Sequence, residues 1–334
     1  MAEYKGIVGT KIRNYTTNPD NPITGEVWYN ETDQVLKFQY PTVTTTGSWR
    51  TGNNLNTARG SLGSAGIYTA ALGFGGGGPN AQTESYNGTN WTEVNDLNTA
   101  RGVSSAGTTN TAALAFGYGS LETELWNGTN WTEVNDSNST KALDAGFGAS
   151  TSAISCGGEV SSANSALTEL WNGTNWTEVN DMNTARYGQA AAGVSNSSGI
   201  IFGGATPIKA NTETWNGTNW TEVNDLNEGR QYAGGLGTQP AALCVGGQNP
   251  PTTNEQVVED WNGTNWTEVA DLSTGRRKLA AAGTTSNGLA FGGNAAPGVT
   301  TATEEWIGAG APVNAWATGG SLNTARTSVR GGGP

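Results

Sequence analysis

The sequence predicts an all-β fold of the β-propeller class, from an internal repeat, the strands within each repeat and the frequency of glycine. The phrase Trp-Asn-Gly-Thr-Asn-Trp-Thr-Glu-Val occurs four times, and a fifth copy begins with Tyr instead of Trp: 126–134, 171–179, 215–223, 261–269 and 86–94. The 334 residues include 50 glycines, and no segment keeps an apolar period near 3.6 residues. Helical repeats are therefore excluded. Four short strands in a unit of about 45 residues are typical of a propeller blade.

Each unit divides into four predicted strands, a to d. A basic residue stands ten positions after the Trp that closes the phrase, and strand a follows it. Strand b is a short apolar run that typically ends in an aromatic residue and Gly-Gly, as in 199–204. Strands c and d carry Thr-Glu-Leu-Trp and Trp-Thr-Glu-Val, and the Asn-Gly between them predicts a tight turn. The repeats end near Arg59, Arg101, Lys141, Arg186, Arg230, Arg276 and Arg326.

The two chain ends are predicted to complete a seventh blade. Six units are complete, residues 25–59 supply three further strand-like segments, and 327–334 supply one. A blade closed by both termini would remove the exposed sheet edges of an open array. The alternative is a circle of six blades with a separate N-terminal attachment segment. We expect that segment to be residues 1–22, ahead of a propeller over 23–334.

Composition limits the function classes. The net charge is −12, with 16 basic residues and no cluster of them, which argues against nucleic-acid binding. No apolar run reaches the length of a membrane span, so membrane insertion is not expected. Residues 1–13 lack the apolar core of a signal peptide, which predicts assembly in a cytoplasm. Cys156 and Cys244 lie beside the diglycines of different units and are expected to be buried free thiols.

The chain contains no histidine, which excludes His-based catalytic triads and His-containing metal sites. We therefore expect no enzyme activity, no cofactor and no metal. The carboxylates recur at fixed positions of the repeat, which favours structural roles, with calcium binding and glycoside cleavage as alternatives. The recurrent Arg residues are expected to bond to carbonyls or to the recurrent strand c carboxylates, and the Trp residues to form core rather than a sugar platform. Those strand c carboxylates are Glu84, Glu124, Glu169, Glu213, Glu259 and Glu304.

The units differ most in the loops between strands b and c. These loops are expected to emerge on the same face as the d–a loops, and variable loops on a rigid scaffold are the usual design of a recognition surface. The candidate binding residues on this face are Asn80, Gln82, Tyr118, Lys209, Asn249 and Gln256.

The order Arg, Gly-Gly, aromatic, Trp over residues 49–326 resembles the kelch repeat, although Tyr118 replaces the second Gly in unit two. Leu-Asn-Thr-Ala-Arg and Trp-Asn-Gly-Thr-Asn-Trp look like kelch-type proteins of marine bacteriophages, notably those of cyanobacteria. Residues 23–38 resemble the opening segment of phage fibre and virion structural proteins. The resemblance implies a tail- or fibre-associated virion protein, exposed on the particle. Its implied partners are other virion proteins and a host-surface glycan or protein. The alternatives are a capsid decoration protein and a soluble carbohydrate-binding propeller.

Overall fold

The computed structural model describes residues 13–16, 27–32, 34–43, 46–78, 80–250, 253–308 and 312–318. Its regular elements are β-strands, numbered β1 to β32 along the chain, and no described residue belongs to a helix, so none of this part could span a membrane as a helix. The chain divides into two compact units, residues 46–308 and residues 1–45 with 309–334. Each unit is described by itself.

The smaller unit holds one four-stranded sheet in the order β1-β2-β3-β32. Its strands are β1 (Arg13–Tyr15), β2 (Val27–Asn30), β3 (Val35–Val43) and β32 (Pro312–Thr318). β1 and β2 are parallel, and the other two pairs are antiparallel. The sheet thus joins three strands from the start of the chain to one strand from near its end.

The larger unit consists of six four-stranded antiparallel blades. From strand a to strand d, blade 1 is β5 (Gly63–Ile67), β6 (Ala70–Phe74), β7 (Thr83–Tyr86) and β8 (Trp91–Val94). Blade 2 is β9 (Ser104–Thr109), β10 (Ala112–Phe116), β11 (Thr123–Trp126) and β12 (Trp131–Val134). Blade 3 is β13 (Ala145–Ala149), β14 (Ser152–Cys156), β17 (Thr168–Trp171) and β18 (Trp176–Val179).

Blade 4 is β19 (Ala190–Ser195), β20 (Ser198–Phe202), β21 (Thr212–Trp215) and β22 (Trp220–Val223). Blade 5 is β23 (Gly234–Thr238), β24 (Ala241–Val245), β27 (Val258–Trp261) and β28 (Trp266–Glu268). Blade 6 is β29 (Ala280–Gly283), β30 (Asn287–Phe291), β31 (Thr303–Ile307) and β4 (Ser48–Gly52). Two short ribbons extend b–c loops: β15 (Glu159–Val160) with β16 (Ala163–Asn164), and β25 (Gln248–Asn249) with β26 (Thr253–Asn254).

The predicted seven blades are corrected to six. The inner strands β5, β9, β13, β19, β23 and β29 contact one another in that order, and β29 contacts β5, which closes the circle. Of the three strand-like segments within residues 25–59, two form β2 and β3 of the smaller unit. The third forms β4, which pairs with β31 and is strand d of blade 6. Trp49 therefore lies in blade 6, whereas Trp316, ten residues before Arg326, lies on β32 of the smaller unit. The predicted strand at 327–334 and Arg326 lie outside the described residues, and the attachment role of residues 1–22 stays a prediction.

The recurrent basic residue forms a buried ion pair with the strand c carboxylate of the blade that follows it, as the sequence predicts. The pairs are Arg59–Glu84 at 3.1 Å, Arg101–Glu124 at 2.6 Å, Lys141–Glu169 at 2.9 Å, Arg186–Glu213 at 2.8 Å, Arg276–Glu304 at 2.8 Å, and Arg230–Glu259. Glu213 also accepts hydrogen bonds from the backbone N–H groups of Asn183 and Thr184. The Leu-Asn-Thr-Ala-Arg phrase is thus a cap that satisfies a buried carboxylate, because an unpaired one would be costly.

The strand d Trp joins each blade to the blade before it. Its Nε1 donates to a buried Thr hydroxyl on the neighbouring strand c: Trp91 to Thr303, Trp131 to Thr83, Trp176 to Thr123, Trp220 to Thr168 and Trp266 to Thr212. Val258 takes the Thr position in blade 5, and there Trp49 Nε1 donates instead to the carbonyl of Ala270 at 3.0 Å. The strand c and d Trp residues of the phrase are at most 6 % exposed, so they are core, as predicted.

Blade 1 departs from the repeat where the circle closes. Tyr86 stands in place of the strand c Trp, and its hydroxyl donates to Glu305 Oε1 of blade 6 at 2.7 Å. Arg50 Nε donates to the other oxygen of the same carboxylate at 2.6 Å. Burial and the Glu305 carboxylate raise the pKa of Tyr86, so it stays a neutral donor. The single Tyr in the repeated phrase therefore links blade 1 to blade 6, where the circle of blades closes.

Both cysteines are buried free thiols, as predicted. Cys156 ends β14 and Cys244 lies in β24, each just before a diglycine. Burial raises the pKa of each thiol to about 12, which keeps it protonated and unreactive near neutral pH.

Candidate binding site in the central channel

The b–c and d–a loops share one face of the propeller, as the sequence predicts. Short backbone bridges join the two loop types: Ala142 with Glu159, Tyr187 with Ala205, Gln231 with Gln248, and Arg277 with Asn294. This face, called the loop face below, therefore combines the most variable segments of the chain with the turns that enter the inner strands.

Four of the six predicted binding residues bond within their own loops or to the turn beside them. Asn80 Oδ1 accepts from the backbone N–H of Gln82 at 2.9 Å, and Asn80 Nδ2 donates to Gln82 Oε1 at 3.1 Å. The Lys209 carbonyl accepts from the Arg230 N–H, and Gln256 Nε2 donates to the Ser273 carbonyl. Asn249 lies on the β25 ribbon. A binding role for these residues stays a prediction.

Two cavities occupy the central channel, and all six blades line both. The first, called the loop-side cavity, has a volume of about 160 Å³ and is lined by residues that enter strand a, among them Ser61, Asp144, Gln189, Tyr232 and Lys278. The second, called the hairpin-side cavity, has a volume of about 250 Å³ and is lined by the far ends of the same strands. Tyr118 lines the loop-side cavity and is the predicted binding residue that the fold brings to the channel.

The second residue after each basic residue turns the chain into the channel. Five of these six residues adopt the left-handed conformation: Ser61 (φ 56), Leu143 (φ 57), Gly188 (φ 64), Tyr232 (φ 57) and Lys278 (φ 53). Backbone hydrogen bonds link them in sequence around the channel, from Gly188 to Leu143, Tyr232 to Gly188, Lys278 to Tyr232 and Ser61 to Lys278. Non-glycine residues rarely adopt the left-handed conformation, and where they do, the surrounding structure holds them in it. The turns thus fix which side chains face the cavity.

Tyr118 occupies the position where other units have the second glycine of the pair. It keeps a positive φ of 57, and its backbone N–H donates to Asp144 Oδ1 at 3.1 Å. Its ring lies over Gly102, where an added Cβ would come within 2.5 Å of it. The Tyr118 hydroxyl bonds to Ser61 Oγ at 2.7 Å. Three contacts therefore hold Tyr118 at the cavity edge.

Asp144 is a buried carboxylate at a position with no acidic equivalent in the other units. Oδ1 accepts from Ser104 Oγ at 2.9 Å and from the Tyr118 N–H, and Oδ2 accepts from Ser155 Oγ at 2.8 Å. Burial raises the pKa of Asp144, and Lys141 and these hydrogen bonds oppose the shift. Both oxygens already have partners, so Asp144 organises the cavity wall.

Lys278 and Tyr232 form a cationic and aromatic corner. Lys278 Nζ lies 4.8 Å from the centre of the Tyr232 ring, within the range of a cation–π contact. Tyr187 packs against Tyr232 with ring centres 6.4 Å apart. Burial raises the pKa of Tyr232 to about 12, with smaller contributions from its neighbours, among them a hydrogen bond with Tyr187, so its hydroxyl is neutral.

Gln189 lines the loop-side cavity as a residue, and its amide lies against the end of strand b in blade 3, where an added Cβ at Gly157 would meet Nε2. The side chain is 6 % exposed, and its Nε2 donates to the Cys156 carbonyl at 2.8 Å, which fixes the orientation of the amide. Gln189 Oε1 accepts no hydrogen bond from any residue that the structure describes. A buried oxygen without a partner is rare in folded proteins and calls for an explanation.

The recurrent carboxylates do not assemble a metal site in the described residues. No group of three or more Cys, Asp or Glu side chains there could hold a metal ion. Recurrent Asp residues instead accept from the backbone at the start of strand c, as Asp96 does from Thr83 and Asp181 from Thr168.

Sequence reasoning missed Asp144, Gln189, Tyr232 and Lys278. Their signal lies two or three residues after the aligned basic residue, where the units read Ser-Leu, Val-Ser, Leu-Asp, Gly-Gln, Tyr-Ala and Lys-Leu. These positions diverge as strongly as the b–c loops, although a basic residue recurs shortly before them and small residues follow them in every unit. Only the closed circle shows that six divergent pairs meet at one cavity.

Comparison with known proteins identifies the fold. No protein-family model matches the chain, and no curated protein matches it. Among solved structures, the chain is similar to the structure of YjhT, with 12 % identity and a TM-score of 0.61. The similarity covers 75 % of this chain and 95 % of that one. At this identity it shows the fold alone, and the chain is a six-bladed β-propeller.

Proposed function

We propose that this chain is a non-enzymatic recognition protein of a phage particle, tail- or fibre-associated, whose loop face contacts another virion protein or the host surface. The observation that carries the proposal is the division between repeated and divergent residues. The repeated Arg, Glu, Trp and Thr side chains are engaged in bonds that hold the blades. The divergent side chains gather on the loop face and at the loop-side cavity.

The state of the acidic groups at the cavity supports a non-enzymatic role. Asp144 is the carboxylate among the lining residues, and its two oxygens accept hydrogen bonds from Ser104, Tyr118 and Ser155. Acid–base cleavage of a glycoside needs two carboxyl groups facing one bond. The strand c carboxylates that could supply a second group are paired with Arg or Lys inside the blades.

The virion assignment rests on the resemblance of the repeat to kelch-type phage proteins and of residues 23–38 to phage fibre proteins. A net charge of −12 gives no attraction to an anionic cell envelope, so adhesion would depend on hydrogen bonds and stacking. The tyrosines at the cavity suit that mode. A capsid decoration protein and a soluble carbohydrate-binding propeller are the competing functions.

Gold-labelled antibodies against the full chain, imaged on purified particles of the virus that encodes it, test the proposal. Label at the tail or fibres is the expected result. Label over the head would replace host contact by capsid decoration. Particles without label, from preparations in which the protein is detected by mass spectrometry in infected cells but not in virions, would overturn the virion assignment.

A further inference from the structure

We propose that the loop-side cavity binds an acidic sugar residue, whose carboxylate accepts hydrogen bonds from Lys278 Nζ. The inference rests on the proposed function in placing recognition on the loop face, and it names the chemistry of the ligand. It is carried by a cation without an ion pair, by the hydroxyl groups joined to that cation in the cavity wall, and by the size of the cavity.

Lys278 belongs to a small group of cations that no carboxylate neutralises. Within residues 46–308, seven Lys and Arg side chains form ion pairs with glutamates. Lys209, Arg277 and Lys278 pair with no carboxylate that the structure describes, and all three lie in loops of the loop face. In a chain with a net charge of −12, this face is therefore where positive charge is available to a ligand.

The ammonium of Lys278 is open to a ligand at the cavity. Lys278 and Tyr232 are half-buried lining residues, and Lys278 Nζ lies 4.8 Å from the centre of the Tyr232 ring. Nζ has no hydrogen-bond partner among the described residues, and it is not a buried atom. A carboxylate placed here would therefore accept a charge-assisted hydrogen bond without displacing an existing partner.

The acidic groups near the cavity do not neutralise Lys278. Asp144 is the carboxylate among the lining residues, and both of its oxygens accept hydrogen bonds inside the wall. Burial also raises the pKa of Asp144, which disfavours its negative form. Glu159, whose charge reaches Tyr232, lies on the β15 ribbon and is not a lining residue. The cavity thus keeps a cation that an incoming carboxylate can pair with.

Hydroxyl groups beside Lys278 favour a sugar acid over a simple carboxylate. The Ser61 N–H donates to the Lys278 carbonyl at 2.9 Å, and the Tyr118 hydroxyl donates to Ser61 Oγ at 2.7 Å, so the three residues form one continuous wall. Ser61 Oγ keeps its own proton for donation, and the Tyr118 oxygen can accept from a ligand hydroxyl. The tyrosine rings add rigid apolar surface on which the C–H face of a sugar can pack.

The size of the cavity limits the ligand to one sugar ring. Its volume of about 160 Å³ is well below the roughly 300–1,000 Å³ of pockets for drug-sized ligands. Ser61, Tyr118, Tyr232 and Lys278 are all half-buried, so this part of the wall reaches both the cavity and solvent. We therefore expect a terminal acidic residue to enter while the rest of a glycan stays outside.

Ligand-observed saturation-transfer NMR on the full chain tests the inference. The probes are D-glucuronate and D-galacturonate, each matched with its neutral sugar, D-glucose or D-galactose, and the amide of N-acetyl-L-glutamate represents a carboxylate of a partner protein. We expect at least one uronate to bind about tenfold more tightly than its neutral match, the scale of one charge-assisted hydrogen bond.

Two results of this comparison would overturn the assignment. The first is that neither uronate binds, or that each binds no more tightly than its neutral match. The second is that the glutamate amide binds more tightly than both uronates, which would assign the cavity to a protein carboxylate instead.

Variants at two adjacent positions locate the site. Lys278→Met keeps the unbranched stem and removes the ammonium, and it is expected to weaken uronate binding by about tenfold while leaving neutral sugars unaffected. Arg277→Met is the matched control, because it removes the same charge one position away and Arg277 is not a lining residue. Lys278→Gln replaces the methionine variant if that variant does not fold.

The outcomes separate this inference from the proposed function. Unchanged uronate affinity in Lys278→Met, or an equal loss in Arg277→Met, would overturn the role of Lys278, with melting temperatures showing that the variants are folded. Uronate binding in solution without label on particles would contradict the virion proposal and leave the sugar site standing. Label without uronate binding would do the reverse.

Discussion

In each unit, two residues that line the channel follow the basic residue by two and three positions. The basic residue and these two residues have opposite roles. Arg186 is fully buried in an ion pair with Glu213, and five other units repeat that arrangement. Gln189, three positions later, is buried with an oxygen that has no partner among the described residues. The difference teaches that a residue repeated in every unit is one that each blade needs for its own stability. A position that differs between units is one whose side chain contributes only where all six blades meet.

The two ends of the channel show the same contrast. The hairpin-side cavity is lined mainly by Gly, Ala and Thr, with the exposed side chains of Ile67 and Val194. The loop-side cavity brings together Asp144, Gln189, Tyr232 and Lys278. The same six strands build both cavities, so the chemistry is set by the turns at one end. Four predictions can break or sharpen this comparison.

The largest expected effect is that of removing a repeated cation. Arg186→Met leaves Glu213 buried without its partner, and breaking a buried pair costs about 3–5 kcal/mol. Burial lowers the pKa of Arg186 and the Glu213 carboxylate opposes the shift, so Glu213 offsets part of the cost of burying the guanidinium. Denaturant unfolding of the full chain measures the loss of free energy of unfolding.

Arg186→Lys is the matched control for this substitution. Blade 3 naturally uses Lys141 against Glu169 at 2.9 Å, so a lysine can satisfy the carboxylate in this setting. The lysine variant should therefore lose less stability than the methionine variant. A loss below about 1 kcal/mol for Arg186→Met would contradict the structural role of the repeat.

A smaller loss is expected from removing one bond between blades. Thr168→Val keeps the shape of the side chain and leaves Trp220 Nε1 without the acceptor it has at 3.1 Å. A buried donor without a partner costs about 1–3 kcal/mol. Thr177→Val on the exposed strand d is the control, and calorimetric melting of both variants makes the comparison. Equal melting of the two would show that the bond between blades does not contribute.

The pH dependence of stability should reveal Asp144. Burial raises its pKa above the ordinary value of 3.8, so the folded state binds the proton more tightly than the unfolded chain. Its contribution to stability is therefore fully present below the ordinary pKa and is lost as the pH rises through the raised one. Asp144→Asn cannot ionise, and its amide can still bond to Ser104 and Ser155.

Urea unfolding of the natural protein and Asp144→Asn from pH 4 to pH 8 checks this expectation. The stability of the natural protein relative to the variant should fall as the pH rises. A difference that is constant across the range would contradict a raised pKa at this position.

The smallest effect on stability is expected at the cavity edge. Tyr118→Phe removes the hydrogen bond to Ser61 Oγ but keeps the ring over Gly102. The expected loss is about 0.5–1.5 kcal/mol, the net contribution of an ordinary hydrogen bond. Thermal melting followed by near-ultraviolet circular dichroism is the measurement. A loss of stability as large as that of Arg186→Met would mean that the cavity edge also holds the fold together. The contrast between repeated and divergent positions would then be wrong.

Much of the fold could be predicted from the sequence because each blade is determined by local pattern. The strands, the burial of Cys156 and Cys244, and the Arg–Glu pairs all follow from residues that recur within one unit. The number of blades did not follow. Trp49 and Trp316 carry the same spacing to a basic residue, and pairing of β4 with β31 is a contact between opposite ends of the chain that no local pattern encodes.

The candidate site could be predicted only in part, for the same reason. Tyr118 was found because it interrupts a diglycine, which is visible within one unit. Gln189 and Lys278 look like ordinary polar residues of separate units. They can be recognised as cavity residues only in the closed circle, which places the first residues of the inner strands of all six blades around one cavity.

A crystal structure of the full chain tests the central claim most directly. The account predicts six blades closed by the pairing of β4 with β31, an ion pair between the basic residue and the strand c carboxylate in every blade, and the divergent residues Asp144, Tyr232 and Lys278 around one cavity. A different number of blades, or divergent residues that lie far apart while the ion pairs are kept, would contradict it.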